Sequence, residues 1–394
     1  MSRKKIIYNS MIKVISCAKS FFKFPAGATL AVCFFYCVFS FAAYFISSLF
    51  PSLVTNIYTK GFYRIFTFPF KLIASLCPFS VTEFILFALL LCYLAGLVAA
   101  GTIAVKRKNK KEKNPLNPFA VWLSLLLCLV LTAGGNFVWL GGMNYNAISF
   151  KDLAGYNIID VSTDELTQLC IFLRNKAAAA REELSENSNG ISDDQRALYD
   201  VLEISKEGYK NLAEDYDFFH VYTAKPKVAT LSTVMSYEQI SGIFPIVYTE
   251  SLINGCAPIY SVPHTACHEL AHQLGFMRED EANFIGFLAC ISCNDPLYVY
   301  SGYYSAFVTA MNQLYLYDND GWQKIYNETP AGLLKDISFE NNFWRTYREK
   351  APFIADVSES VNDKYLQFNN VDDGVRSYGR MVDLLLAHYR EELH

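Results

Sequence analysis

Residues 263–293 read PHTACHELAHQLGFMREDEANFIGFLACISC, and this stretch specifies both a fold fragment and a chemistry. On an α-helix, residues four apart differ by about 40° around the axis and about 6 Å along it, so His268 and His272 offer ring nitrogens to one tetrahedral ion. Glu269 stands beside them, where a carboxylate can take a proton from a metal-activated water and pass it to a leaving amine. Leu270, Ala271 and Leu274 supply an apolar back for burial. Gly275 falls where the helix must stop and turn, since glycine readily adopts the left-handed cap. The chain re-enters a helix at about Arg278, and this second helix carries Ala282, Gly286, Ala289, Cys290 and Cys293 on or near one face. Such small residues allow close packing on the first helix.

A catalytic zinc needs a third protein ligand, and the candidates are His264, Glu279, Asp280 and Glu281. His264 lies eight residues from His272, roughly 12 Å along a continuous helix, so it can pair only with His268. Glu279 lies on the small-residue face with Asn283 one turn on, whereas Glu281 points nearly opposite, towards Phe284, Ile285 and Leu288. Glu279 is the preferred ligand and Glu281 the alternative, with Asn283 expected to orient a ligand histidine. Tyr378, Arg380 and His388 are candidates to share the charge of an oxyanion by folding back on the site, and Tyr378 is assigned that catalytic role. Cys267, Cys290 and Cys293 read as small buried residues, because Cys267 points away from the His268 face and one C-x-x-C pair is weak evidence for a thiolate site.

His268-Glu269-x-x-His272 followed by Glu279-Asp280-Glu281-Ala282-Asn283 resembles the zincin metallopeptidases of the glutamate-ligand type, whose third ligand opens an E-x-x-x-D or E-x-E-A-D motif on a second helix. The whole chain also resembles a bacterial membrane family described as a domain of unknown function. The zincin resemblance implies zinc at His268, His272 and Glu279, with Glu269 as general base. Two departures stand out: Asn283 replaces the Asp of that motif, and the gap between His272 and Glu279 is shorter than in most of those peptidases. The short gap with Gly275 is similar to that of metzincins, but Arg278 occupies their third-ligand position.

Outside this stretch the composition points to a membrane. The chain has 394 residues, 52% of them hydrophobic, and a positive mean hydropathy, too apolar for a purely soluble protein. The net charge of −4 conceals an asymmetry, with Lys and Arg crowding the first third and acids the rest. Nucleic acid is not an expected partner. Of eleven cysteines, Cys17, Cys33, Cys37, Cys77, Cys92 and Cys128 fall in the apolar N-terminal part. Cys170, Cys256, Cys267, Cys290 and Cys293 remain, an odd number that implies no complete disulfide framework.

A helix needs about 20 apolar residues to cross the hydrocarbon, and 28–50, 84–104 and 118–140 each supply them. Basic clusters precede the first span and separate the second from the third, at Lys106 to Lys113. The positive-inside rule therefore puts the N-terminus in the cytoplasm and everything after about residue 141 outside. Pro51 to Ser80, with Tyr58, Phe62, Tyr63, Phe66, Phe68 and Phe70 among Lys60, Arg64 and Lys71, reads as an aromatic-rich loop lying on the bilayer.

Beyond the third span, Leu166, Leu169, Cys170, Phe172 and Leu173 give helical spacing over Asp164 to Lys176, with Ser162 or Thr163 as cap. Ser185 to Asp194 reads as an exposed turn, and Asp194 to Asp215 as a second amphipathic helix. Val228 to Leu231 and Ile243 to Tyr248 look like strands of a small sheet. Pro245 and Asn254-Gly255 suggest an edge strand and a turn, which would suit an extended peptide. Tyr303 to Tyr317, Asn341 to Tyr347 and Val375 to Leu393 predict a helical C-terminal third.

The expected protein thus has a membrane domain, 1–140, with three transmembrane helices. A mainly helical, α+β, zincin-like extracytoplasmic domain with a small sheet follows, 141–394. It is expected to be a multi-pass protein of the cytoplasmic (plasma) membrane, a zinc metallopeptidase acting on peptide or protein substrates. The alternative is a non-catalytic sensor or scaffold that keeps a zincin-like core.

Overall fold

The computed structural model describes residues 25–110, 117–158, 162–368 and 381–393. In chain order its main helices are α1 (Pro25–Ser47), α2 (Arg64–Leu76), α3 (Val81–Lys110), α4 (Pro118–Leu140), α5 (Thr163–Arg181), α6 (Leu198–Asp215) and α7 (Val262–Leu274). They continue with α8 (Glu279–Ile291), α9 (Pro296–Tyr317), α10 (Asn319–Glu328), α11 (Ala331–Lys350), α12 (Pro352–Phe368) and α13 (Met381–Leu393). The strands are short: β1 (Ser185–Glu186), β2 (Ser192–Asp193), β3 (Lys227–Val228), β4 (Gly242–Ile243) and β5 (Leu252–Ile253). Contacts divide the chain into one unit of Met1–Leu49 with Glu83–Leu140 and another of Phe50–Thr82 with Gly141–His394.

Among the described residues, α1, α3 and α4 are the three helices long and apolar enough to cross a membrane. Their surfaces expose Phe35, Phe39, Phe87, Leu90, Leu125 and Val130, as suits a lipid solvent. Polar groups turn inward, where they must find partners. Tyr36 Oη donates to Asn136 Oδ1 at 2.8 Å, Trp139 Nε1 to Ser40 Oγ at 2.9 Å and Trp122 Nε1 to the Tyr93 carbonyl at 3.0 Å. The basic residues before residue 25 and at 111–113, used in the orientation argument, lie outside the described residues.

The linker from Phe50 to Thr82 departs from expectation. It is helical rather than a loop, with a π-helical stretch, Val54–Tyr63, leading into α2, and it belongs to the second unit rather than to a domain ending at residue 140. Tyr63, Thr67, Lys71 and Ala74 fall at helical spacing and are buried, while Ile65, Phe66, Phe68, Ile73 and Leu76 on the other faces are exposed. Tyr63 Oη donates to the Gln273 carbonyl at 3.1 Å, and Lys71 Nζ donates to the same oxygen at 2.7 Å. These bonds meet carbonyls that the end of α7 leaves unpaired. A cation at that end is also favoured by the helix dipole. Burial pushes the Lys71 amine down to about 7.

The core of the second unit forms around α7 and α8, which pack on each other and on α6 and α9, while α5 and α13 close over α9. Helix α5 begins with a reciprocal capping box: Ser162 accepts from the Glu165 N–H, and the Glu165 carboxylate accepts from the Ser162 N–H, which satisfies two otherwise unpaired donors. Residues 185–194, expected as an exposed turn, form the antiparallel hairpin β1–β2. The reason lies at the fully buried Asp336. Its carboxylate accepts from Ser192 N at 2.9 Å, Arg181 Nε at 2.8 Å and Tyr300 Oη at 2.6 Å. The second sheet has the order β3-β5-β4, with β3 parallel and β4 antiparallel to β5, so β4 is an edge. These strands are shorter than expected because the chain turns at once after each, through Ser232 N to Ala229 O and Thr249 N to Pro245 O.

Close backbone approach sets the position of α8. A methyl group on Gly208 of α6 would sit 2.1 Å from the Ala289 carbonyl oxygen, and one on Gly286 would sit 3.0 Å from the His268 nitrogen. Gly208→Ala should therefore destabilise the protein by about 2 kcal/mol or more, overpacking outweighing the roughly 1 kcal/mol gain in helix propensity. Thermal melts check this against Gly61→Ala, whose methyl meets nothing within 4 Å.

Candidate metal centre

Helix α7 starts with Pro263 in its first turn and ends at Gly275, whose φ of 104° is left-handed. The turn is closed by Phe276 N donating to the Ala271 carbonyl at 3.1 Å. Arg278 is extended and α8 begins at Glu279, so three residues after Gly275 suffice to bring the second helix back across the first. The same turn orients a ring: His272 Nδ1 donates to the Phe276 carbonyl at 2.8 Å. That bond fixes the proton on Nδ1 and leaves the Nε2 lone pair facing inward.

Three ligand-type side chains then converge, Glu279 turning one carboxylate oxygen to each histidine. His268 Nε2 and His272 Nε2 are 3.0 Å apart, His268 Nε2 is 3.1 Å from Glu279 Oε2, and His272 Nε2 is 3.5 Å from Glu279 Oε1. Two imidazole lone pairs and a carboxylate at these separations repel one another unless positive charge lies among them. Burial opposes a charge on His272, but the Glu279 carboxylate outweighs it and lifts the imidazole to about 9. Burial likewise opposes the charge on Glu279, and the two histidines overcome it, holding the carboxyl well below the usual range. A proton can meet this demand, and so can a metal ion. Among the described residues these three form a group able to hold one.

Glu269 lies just outside the triangle. Only 4% exposed, it keeps Oε2 without a hydrogen-bond partner, and burial raises its carboxyl to about 7. Strand β4 crosses beside it so closely that a methyl on Gly242 would fall 2.6 Å from Glu269 Oε1.

The other sequence candidates are placed differently. Glu281 accepts from Phe150 N at 3.0 Å and pairs with Arg278 at 2.9 Å, turned away from the histidines. Asn283 offers its backbone carbonyl to His264 Nε2 at 3.1 Å, while the orienting partner of His272 is the Phe276 carbonyl, not the Asn283 side chain expected. His388 bonds the Tyr156 hydroxyl at 2.9 Å and packs on Phe284. Tyr378 and Arg380 lie outside the described residues. Cys267, Cys290 and Cys293 are buried, and burial pushes their thiols up.

Residues 58–386 match the profile of a family described as Protein of unknown function (DUF3810). The chain belongs to DUF3810. No curated protein and no solved structure matches it. The DUF3810 match runs from the π-helical stretch into α13, so it takes in the linker under α7 as well as the three converging side chains. Sequence reasoning missed Tyr63 and Lys71 in that linker, although their spacing with Thr67, four residues at each step, was a visible signal.

Proposed function

We propose that this DUF3810 protein is a membrane-anchored zinc-dependent peptidase with a zincin-like site, its catalytic unit on the extracytoplasmic side of the cytoplasmic membrane. The observation that carries the reading is the triangle of His268, His272 and Glu279 with a buried, half-unsatisfied carboxylate beside it. Zinc bonded at about 2.0–2.1 Å needs donor atoms about 3.3 Å apart; the two imidazole nitrogens are 3.0 Å apart, and each has one of the two Glu279 oxygens beside it, at 3.1 Å for His268 and 3.5 Å for His272. Two nitrogens and one carboxylate are also a donor set found in catalytic zinc sites.

Zinc supplies a Lewis acid that polarises a carbonyl and lowers the pKa of water. The chain's own residues do the rest. Glu269 Oε2 takes a proton from the attacking water and returns it to the departing amine. The Phe276 carbonyl keeps His272 in the tautomer whose Nε2 is free, and the Glu279 carboxylate offsets positive charge. An extended peptide laid antiparallel on the outer edge of β4 would pass directly over Glu269. The extracytoplasmic placement follows from the basic residues at the N-terminus and around 106–113.

The test is metal content and hydrolysis of an unstructured protein such as casein by the purified full-length chain. One zinc per chain and activity lost to a chelator and restored by zinc support the reading. Hydrolysis indifferent to chelation would end it, and stoichiometric zinc without hydrolysis would leave the non-catalytic sensor. Because ligands must shed protons to bind metal, and the His272 proton is held up to about 9, zinc affinity should rise with pH below that value. About a tenfold gain per pH unit is expected between 6.5 and 7.5, measured by competition with an indicator chelator.

A further inference from the structure

A second site lies in the linker. A small pocket, about 30 Å³ in cavity volume, opens between the π-helical stretch and the turn that joins α7 to α8, lined among others by Thr59, Lys60, Arg64, Asn144 and Arg278. Two buried donors there have no acceptor: Arg64 Nε and Asn144 Nδ2. The rest of each group is engaged, Arg64 Nη2 with the Phe218 carbonyl at 3.0 Å and Asn144 Oδ1 with the Thr59 hydroxyl at 2.8 Å. The one lining acid, Glu281, is paired with Arg278. Lys60 and Arg64 have no carboxylate within ion-pair distance among the described residues.

We infer that this pocket binds a phosphate group, supplied by the headgroup of an anionic phospholipid. A buried donor left unpaired is costly, and two of them, one on the uncompensated Arg64 guanidinium itself, with the Lys60 cation nearby, call for an acceptor with several oxygens and negative charge. The lipid source is favoured by where the pocket sits in the chain. The linker Phe50–Thr82 joins two helices long and apolar enough to cross a membrane, which ties both its ends to one membrane surface. The same linker exposes Ile65, Phe66, Ile73 and Leu76, side chains suited to the acyl boundary. The pocket wall includes Gly275 and Phe276, so a bound headgroup touches the turn that orients His272. The inference does not depend on peptidase activity.

The experiment is calorimetric titration of the full-length chain, purified free of lipid in a neutral detergent, with dioctanoyl phosphatidylglycerol, inorganic phosphate and dioctanoylglycerol. Saturable one-to-one binding of the phospholipid, weaker competing binding of phosphate and none of the diacylglycerol are expected. Arg64→Gln should weaken phospholipid binding about tenfold or more, the loss of one charge-assisted hydrogen bond. Lys60→Gln, at an exposed position that folding does not need, should weaken it by a smaller factor, and Arg345→Gln should not change it. Absence of saturable phospholipid binding would overturn the inference, as would diacylglycerol binding equally well. Unchanged affinity in both pocket variants would also overturn it, and phosphate binding tighter than the phospholipid would refute the lipid assignment.

Discussion

Glu269→Gln is expected to leave zinc bound at its full stoichiometry and to lower peptide hydrolysis by about 10² to 10⁴-fold, the usual contribution of a positioned general base. The two halves of that result come from different features. Glu269 is outside the His268, His272 and Glu279 triangle, so the neutral, isosteric amide removes no ligand. Burial is already its main environment, and an amide is cheaper to bury than a carboxylate, so stability should not fall. What the amide lacks is basicity at the atom that Glu269 leaves unpaired, Oε2. The pH profile gives a second readout. Burial raises the carboxyl to about 7, so the base is increasingly protonated as pH falls through that value. Activity of the unmutated protein should decline about tenfold per unit on that side, and a bound cation, by favouring the carboxylate, moves the limb lower. The residual activity of Glu269→Gln should lack this limb. Equal activity in both forms would refute the base, and loss of zinc from the variant would make Glu269 a ligand.

Features legible in the sequence were those written within a few residues. The His268–His272 spacing, the left-handed Gly275 and the cap at Ser162 each depend on local geometry alone. The opposite directions of Glu279 and Glu281 follow from about 100° of helix rotation per residue. What stayed hidden depends on partners far away in the chain or on atoms without sequence identity. Tyr63 and Lys71 looked interfacial because aromatic and basic residues mingle there, yet their shared acceptor is a backbone carbonyl some 200 positions on. Asp336 gathers Arg181, Ser192 and Tyr300 from three separate elements, and no periodicity announces that. Asn283 was a plausible orienting side chain for a ligand histidine. The main chain of Phe276 fills that role instead, because the tight turn after Gly275 folds its carbonyl back over His272, and any residue at that position could supply it.

The ligand assignment yields the sharpest contrast between neighbouring residues. Glu279→Gln should weaken zinc binding by more than about 100-fold, beyond the range of 10 to 100-fold typical for loss of an outer partner, because the charge that holds two histidines together disappears with it. Glu281→Gln should keep zinc affinity within a few-fold. Its carboxylate is spent elsewhere, on the Phe150 N–H and the Arg278 guanidinium, and Arg278 in turn holds the carbonyls of Tyr145 and Ala147. The amide keeps an oxygen for Phe150 but loses the ion pair, so the cost should appear as about 1–3 kcal/mol of stability. Zinc titration and thermal melting of the two variants together separate the roles. If zinc were lost from Glu281→Gln and kept by Glu279→Gln, the ligand assignment would be reversed. Equal, modest loss from both would point to a site held by the two histidines alone, in which case the converging Glu279 would serve only to stabilise charge on His272.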